Sequence, residues 1–235
     1  ENSHYKWWKS RLKKLYKMVD IIRIDHFNGI AKYWKVPAGS SSALNGEWAE
    51  GPGENLFEEI FNCVGENAII AEDLGEAEQE AAELKNKYDI PGMKILQFAF
   101  GNGHKSYPHN YPENCVVYTG THDNDTTVGW FHSQPGGGNT QTKNEIKAER
   151  KKVLKYLKTD GKEIHWDMIK TALSSKANTV IIPLQDILGL DSSARMNVPG
   201  TVPGNWRWRF DWTMLTEEKM RQMKNLTTKF NRNYI

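Results

Sequence analysis

The stretch Ile21-Ile22-Arg23-Ile24-Asp25-His26-Phe27 ends an apolar run on an arginine, an aspartate and a histidine. Side chains alternate across a β-strand, so Ile21, Arg23 and Asp25 share one face and Ile22 and Ile24 the other. The apolar pair can pack under helices while the polar set points into a mouth at the strand's C-terminal end. The same parity groups Ala68, Ile70 and Glu72, and again Val117, Thr119, Thr121 and Asp123. Three carboxylates, Asp25, Glu72 and Asp123, therefore fall at the C-terminal ends of three predicted strands, where β/α-barrel enzymes hold their catalytic groups.

Around these ends the chain alternates strand and helix patterns. Strands are predicted over 20–25, 68–72, 93–98, 115–122 and 179–184, and helices over 10–18, 55–63, 77–87, 143–158, 165–174 and 217–229. Such alternation argues for parallel βα units and an α/β fold. Thr216 is the predicted N-cap of the last helix, with Glu217 and Glu218 complementing its dipole. Two long loops are expected after strand ends, 33–54 and 134–142, and loops of that length in a compact domain are commonly functional.

The 235 residues are 38% hydrophobic and carry 31 Lys and Arg against 29 Asp and Glu, a formal net charge of +2. This is the size and balance of one globular domain, near the ~250 residues typical of an eight-fold β/α barrel. Interspersed charge of both signs gives no strong field for nucleic acid, and the basic run 147–158 has the spacing of a solvated helix face. Cys63 and Cys115 each stand alone, which indicates neither a zinc framework nor a disulfide scaffold and favours a reducing compartment. No apolar run approaches the ~20 residues of a membrane span, and the N-terminus has no secretory pattern. The chain begins without methionine inside a helical pattern, and is expected to be cut from something longer.

Glycoside chemistry suits a trio of acids on one rim. A retaining enzyme places two carboxyl groups ~5 to 5.5 Å apart, one a nucleophile and the other an acid and then a base. Arg23, two residues before Asp25 on the same face, sets a guanidinium beside the attacking carboxylate. Glu72 is then the group that gives a proton to a leaving oxygen. Any one of these acids would serve as well as a helix cap or ion-pair member, and their shared rim is what gives the set its meaning.

The segments IIRIDHFNGIAKYWKVPAG, NAIIAEDLG, GMKILQFAFG, VVYTGTHDNDTTVGWF, IIPLQDILGL, ARMNVPGT and NWRWR, in that order, resemble the C-terminal half of the 4-α-glucanotransferases. These are the amylomaltases or disproportionating enzymes of glycoside hydrolase family 77. The resemblance covers nearly the whole chain and is carried most specifically by RIDHF, AEDLG and GTHDNDT. It implies that Asp25 is the nucleophile, Glu72 the general acid/base, and Asp123 the carboxylate that grips sugar hydroxyls. It further implies Arg23 and His122 beside the reacting sugar, Asn197 in contact with substrate, and Phe98 or Phe100 on the acceptor side. α-1,4-Glucan donors and acceptors such as maltooligosaccharides and starch are implied too, with no cofactor, no metal, and a cytoplasmic or plastid location. If IIRIDHF is the fourth strand, residues 1–235 are the C-terminal portion of a single (β/α)8 catalytic domain, an incomplete TIM barrel of strands four to eight. The pattern departs at Asn28, where the family often has arginine, and at Ser41-Ser42-Ala43 and Gly46-Glu47-Trp48. These positions touch the rim and bear on chain-length preference.

Nine tryptophans suit sugar stacking. Trp34, Trp48 and Trp130 follow strand ends and are the platform candidates. Trp7, Trp8, Trp166 and Trp212 are expected in core packing, and Trp206 and Trp208, alternating with Arg207 and Arg209, in locking the C-terminal segment. His26, on the opposite parity from Asp25, reads equally as structural or catalytic. Two other readings stand beside the transferase. One is a metal-dependent barrel hydrolase using His26, His122, Asp123 and Asp125, which leaves Arg23 and Glu72 without a role. The other is a non-catalytic glucan-binding fragment.

Overall fold

A computed structural model of the chain describes residues 3–65, 68–75, 79–101, 106–136 and 141–232. The chain divides into two compact units, Glu1–Met93 and Lys94–Ile235.

The first unit runs α1 (Lys6–Tyr16), β1 (Ile22–Ile24), α2 (Asn28–Ala31), β2 (Lys32–Lys35), β3 (Glu47–Glu50), α3 (Gly53–Val64), β4 (Ile69–Ala71), α4 (Gln79–Lys87) and β5 (Gly92–Ile95), within which the unit ends. β1 and β4 pair in parallel, with Ile22 opposite Ile69 and Ile24 opposite Ala71. Ile22 is buried with Phe27, Phe57, Ile60, Ile69 and Ala71 in one core, and Ile24 packs against it. Ile21 is exposed and Arg23 half-buried, so the predicted parity of β1 holds.

Two expectations change, one in this unit and one where the next begins. The predicted loop 33–54 is largely an antiparallel hairpin, in which Trp34 pairs with Trp48 and Lys35 with Glu47. Its Gly, Ser and Pro residues connect the strands, with a 3₁₀ turn at Ala43–Asn45 capped by the Ser42 side chain. The predicted strand 93–98 is extended only to Ile95, and Leu96–Phe100 is a 3₁₀ turn. Leu96, Gln97, Ala99 and Phe100 are buried in this turn, while Phe98 is exposed. The predicted helix 77–87 is observed from Gln79, its first two residues lying outside the described residues, as do residues 137–140 of the predicted loop 134–142.

The second unit contains β6 (Cys115–Tyr118), α5 (Thr127–His132), α6 (Lys143–Leu157), α7 (Ile164–Ser174), β7 (Thr179–Ile181), α8 (Leu184–Leu188) and α9 (Glu217–Lys229). β6 and β7 are parallel, with Val116 opposite Thr179 and Tyr118 opposite Ile181. A core around Leu96, Phe100, Val117, Val153 and Met168 lies between β6, α6 and α7. α6 starts on a capping box of Thr142 and Glu145, and α9 on the predicted Thr216 cap. Parallel strand pairs joined through helices make the fold α/β. No helix among the described residues is long and apolar enough to cross a membrane.

The C-terminus of α7 is closed by Arg232, which donates to the carbonyls of Leu173 at 3.0 Å, Ser175 at 2.8 Å, Ala177 at 2.7 Å and Asn178 at 3.4 Å. A guanidinium there satisfies orphan carbonyls and opposes the helix dipole. Arg232→Ala is expected to lower unfolding free energy by about 2 kcal/mol, read from urea denaturation. Burial lowers the His165 pKa from its ordinary 6.5, and the Glu163 and Asp186 carboxyl groups offset this only in part. The unfolded chain therefore takes up this proton first as pH falls. The stability that His165 contributes is complete above the unfolded value and is lost as pH falls from there through the folded one. The fall in urea midpoint between pH 7.5 and pH 5.5 is expected to be smaller in His165→Gln than in the wild type.

Candidate active site

Asp25 and Glu72 each stand one residue beyond a strand end. The Glu72 N–H donates to the Ile24 carbonyl at 2.9 Å, and the Phe27 N–H donates to the Glu72 carbonyl at 3.0 Å. The β1–β4 pairing thus continues past both strands and fixes the Glu72 backbone. Its carboxylate is fixed as well, because Oε2 accepts the His26 N–H at 2.7 Å. His26 sits at φ 48, in the left-handed region that few residues other than glycine adopt. His26 therefore acts on Glu72 through its backbone.

Arg23 donates from Nη2 to Asp25 Oδ1 at 2.6 Å and from Nε to the Met93 sulfur at 3.2 Å. The Asp25 side chain is 74% exposed. A pair this open adds little stability, and its effect is to orient a carboxylate that remains accessible to a substrate. Asp73, beside Glu72, does different work and was not singled out by the sequence reading. Its side chain is 12% exposed, its Oδ1 accepts the Met93 N–H at 2.8 Å, and its Oδ2 pairs with Lys85 at 2.9 Å. A β-carbon at Gly92 would collide with it. The signal was the parity itself, which turns Asp73 to the side opposite Glu72.

Trp34 lies on β2, edge-on to Trp48 with ring centroids 5.4 Å apart. Its indole N–H donates to the Ala43 carbonyl at 2.7 Å, and Gly46 leaves room for its ring. Trp34 is thus committed to the hairpin, and Trp48 is the more exposed ring of the pair. Phe98 is 49% exposed while Phe100 is 1% exposed and part of the core, which separates the two acceptor-side candidates in favour of Phe98. Trp130 is partly buried against the same core. Of the tryptophans expected in core packing, Trp166 is buried, whereas Trp7, Trp8 and Trp212 are exposed.

In the second unit β6 stops at Tyr118, so strand parity does not reach Asp123 as expected. Asp123 lies in a turn over 120–126, shaped by the Asn124 side chain, which accepts from the Thr121 N–H at 2.9 Å and hydroxyl at 2.8 Å. Asp123 Oδ1 accepts from the Asn197 amide at 2.5 Å, and Oδ2 lies 3.3 Å from His122 Nε2. Arg195 joins the two segments, donating to the Asp123 carbonyl at 2.7 Å and the Asn197 carbonyl at 2.9 Å. The Trp206 ring lies 5.1 Å from that of His122. His122, Asp123 and Asn197 are therefore brought together, and Arg195 and Trp206, which the sequence reading missed as members, join them. A cavity of about 180 Å³ opens here, lined by Thr121, His122, Asn124, Arg195 and Met196 among others. Among the described residues no group of three His, Cys, Asp or Glu side chains could hold a metal ion. Asp125 has its oxygens on the Thr126 N–H at 2.8 Å and the Ser192 hydroxyl at 2.6 Å.

A family profile described as 4-alpha-glucanotransferase matches residues 1–216. The chain belongs to the 4-alpha-glucanotransferase family. It is 43% identical to the chloroplastic/amyloplastic 4-alpha-glucanotransferase of Arabidopsis thaliana over 96% of the chain, and 42% identical to that of Clostridium butyricum over 99%. It covers 39% and 46% of those two relatives, so it spans less than half the length of either. The amylomaltase of Streptococcus agalactiae, solved in complex with acarbose, superposes with a TM-score of 0.88 at 35% identity, over 99% of this chain and 46% of that one.

The adjacent acids of this 4-alpha-glucanotransferase family member are separable by mutation. Asp73→Ala strands the Met93 N–H and Lys85 and is expected to cost about 2–3 kcal/mol of unfolding free energy. Glu72→Gln keeps an acceptor for His26 and is expected to leave the urea midpoint unchanged.

Proposed function

We propose that the protein is a 4-α-glucanotransferase that moves α-1,4-glucan segments between maltooligosaccharide or starch chains by a retaining double displacement. The observation that carries this reading is the seat of Glu72, held by Ile24, His26 and Phe27 on the same turn that presents the Arg23–Asp25 pair. Membership in a family whose relatives are named for that activity supports it.

In the first step the Asp25 carboxylate attacks the anomeric carbon. The glycosidic C–O bond breaks, and Glu72 gives its proton to the departing 4-oxygen. A covalent β-glucosyl ester on Asp25 results. In the second step Glu72 takes the proton of an acceptor 4-hydroxyl, whose oxygen attacks the same carbon and releases Asp25 with net retention. Asp123, oriented by Asn197 and His122, grips the sugar hydroxyls, and Arg23 holds Asp25 in line. Trp34, buttressing Trp48, and Phe98 offer aromatic surface to the glucan. Transfer outruns hydrolysis when acceptor sugar, rather than water, occupies the space beside the ester. No cofactor enters this scheme.

The finer architecture belongs to the same proposal. The pairs β1–β4 and β6–β7 are read as part of a (β/α)8 barrel, its strands four to eight, supported by the similarity to the amylomaltase structure. A cytoplasmic or plastid location accords with a chloroplastic/amyloplastic plant relative.

Incubation of the full chain with maltotriose, followed by chromatography, is expected to give glucose and a ladder of longer maltooligosaccharides, equally with and without a chelator. Asp25→Asn is expected to abolish the ladder, and Glu72→Gln to slow it by about 10²–10⁴-fold. Products limited to glucose and maltose, or an unaffected Asp25→Asn, would reject the assignment.

A further inference from the structure

Asp186, on α8, is 1% exposed and has no part in the steps above. Its Oδ2 accepts from the Thr119 hydroxyl at 2.5 Å, and its Oδ1 accepts the Thr127 backbone N–H at 2.7 Å. These donors bracket the turn 120–126 that carries His122 and Asp123. Thr119 follows the end of β6, and Thr127 opens α5. One buried side chain from a distant segment therefore ties together both ends of that turn. Within the turn, Asn124 and Asp125 make bonds of their own, and the Asp125 carbonyl accepts from the Gln97 amide at 2.8 Å. The 192–197 segment holds the middle of the turn, through Ser192 on Asp125, Arg195 on the Asp123 carbonyl and Asn197 on His122 and Asp123, whereas Asp186 bonds both of its ends. Burial raises the Asp186 carboxyl and its donors pull it back, as befits a group whose bonds are not replaced by water.

We propose that Asp186 is a positioning residue, which fixes the ends of the 120–126 turn and thereby seats His122 and Asp123 against the substrate. The kinetic part of this proposal rests on the transferase reading, and the structural part does not.

The test uses four variants in the full chain. Asp186→Ala removes both acceptors. Asp186→Asn keeps an acceptor and a polar partner in the same volume. Thr119→Val removes one donor. Val153→Ala, on the buried face of α6, serves as a destabilised control in a core cluster that contains no residue of the turn. Asp186→Ala is expected to lower kcat for maltotriose transfer about a hundredfold with much less change in KM. Asp186→Asn restores most of the loss, Thr119→Val shows a smaller fall in the same direction, and Val153→Ala leaves kcat unchanged. Amide hydrogen exchange supplies a readout independent of activity: exchange over 119–127 is expected to accelerate in Asp186→Ala and Thr119→Val but not in Val153→Ala. Unchanged exchange over 119–127 would overturn the clamp. So would an equal kcat loss in Val153→Ala, or failure of Asp186→Asn to recover. If Asp186→Ala does not fold, Thr119→Val decides by the same two readouts. A wild type that transfers nothing rejects the transferase reading alone, and the exchange comparison still decides the clamp.

Discussion

The parallel pairing of β1 with β4, carried beyond both strands, is the constraint on which the first site depends. Ile22, Ile69 and Ala71 are buried in one core, and this burial fixes the register. A slip of one residue would turn Ile22 and Ile24 outward and drive Arg23 into the core. Because the register is fixed, the Ile24 carbonyl meets the Glu72 N–H and the Phe27 N–H meets the Glu72 carbonyl. The apolar contacts that fold the unit thus also decide where two acids stand. The left-handed backbone of His26 completes the arrangement by giving its N–H to the Glu72 side chain.

Where a pattern repeats several times, the sequence was easy to read. α9 runs from Glu217 to Lys229 behind Thr216, as its charge order and cap indicate, and α6 and α7 differ from expectation by a single residue at one end. α2, α5 and α8 were not foreseen, because helices of 4, 6 and 5 residues are too short for a 3.6-residue period to recur. The β2–β3 hairpin escaped for a different reason. Its strands are joined through a Gly-, Ser- and Pro-rich connection, and nothing local in that stretch marks Trp34 and Trp48 as partners.

The acids of the site were legible for unequal reasons. Asp25 and Glu72 each stand one residue beyond a strand end, as the strand pattern placed them, although β4 is buried at every position and shows no alternation of burial. Asp123 was assigned to the rim by the same parity, and that argument fails, since the chain leaves the strand at Tyr118; the motif GTHDNDT is what still points to it. Its direct bonds are to Asn197 and Arg195, 74 and 72 positions along the chain. No periodicity encodes a contact between two turns. For the same reason Trp206, expected to lock a terminal segment, was not recognised as the neighbour of His122.

The acids near the candidate site differ in how many of their oxygens are engaged, although one engaged oxygen is not peculiar to them, since Asp191 and Asp211 also accept through Oδ1. An ionised carboxylate has two oxygens, each able to accept more than one hydrogen bond. Asp73, Asp125 and Asp186 engage both: Asp73 with Met93 and Lys85, Asp125 with Thr126 and Ser192, Asp186 with Thr127 and Thr119. Such acids are consumed in holding the fold. Among the described residues, Asp25 is engaged through Oδ1 and Glu72 through Oε2 alone. A nucleophile needs one oxygen to be oriented and one to attack, and a proton donor needs the same division between anchoring and transfer. Asp123 lies between these classes, with Asn197 on one oxygen and His122 near the other, yet with a side chain still 46% exposed. That suits a group that binds hydroxyls without forming a bond to carbon. Two acids side by side in sequence thus differ: Glu72 takes the His26 N–H on one oxygen, whereas Asp73 engages both, with Met93 and Lys85.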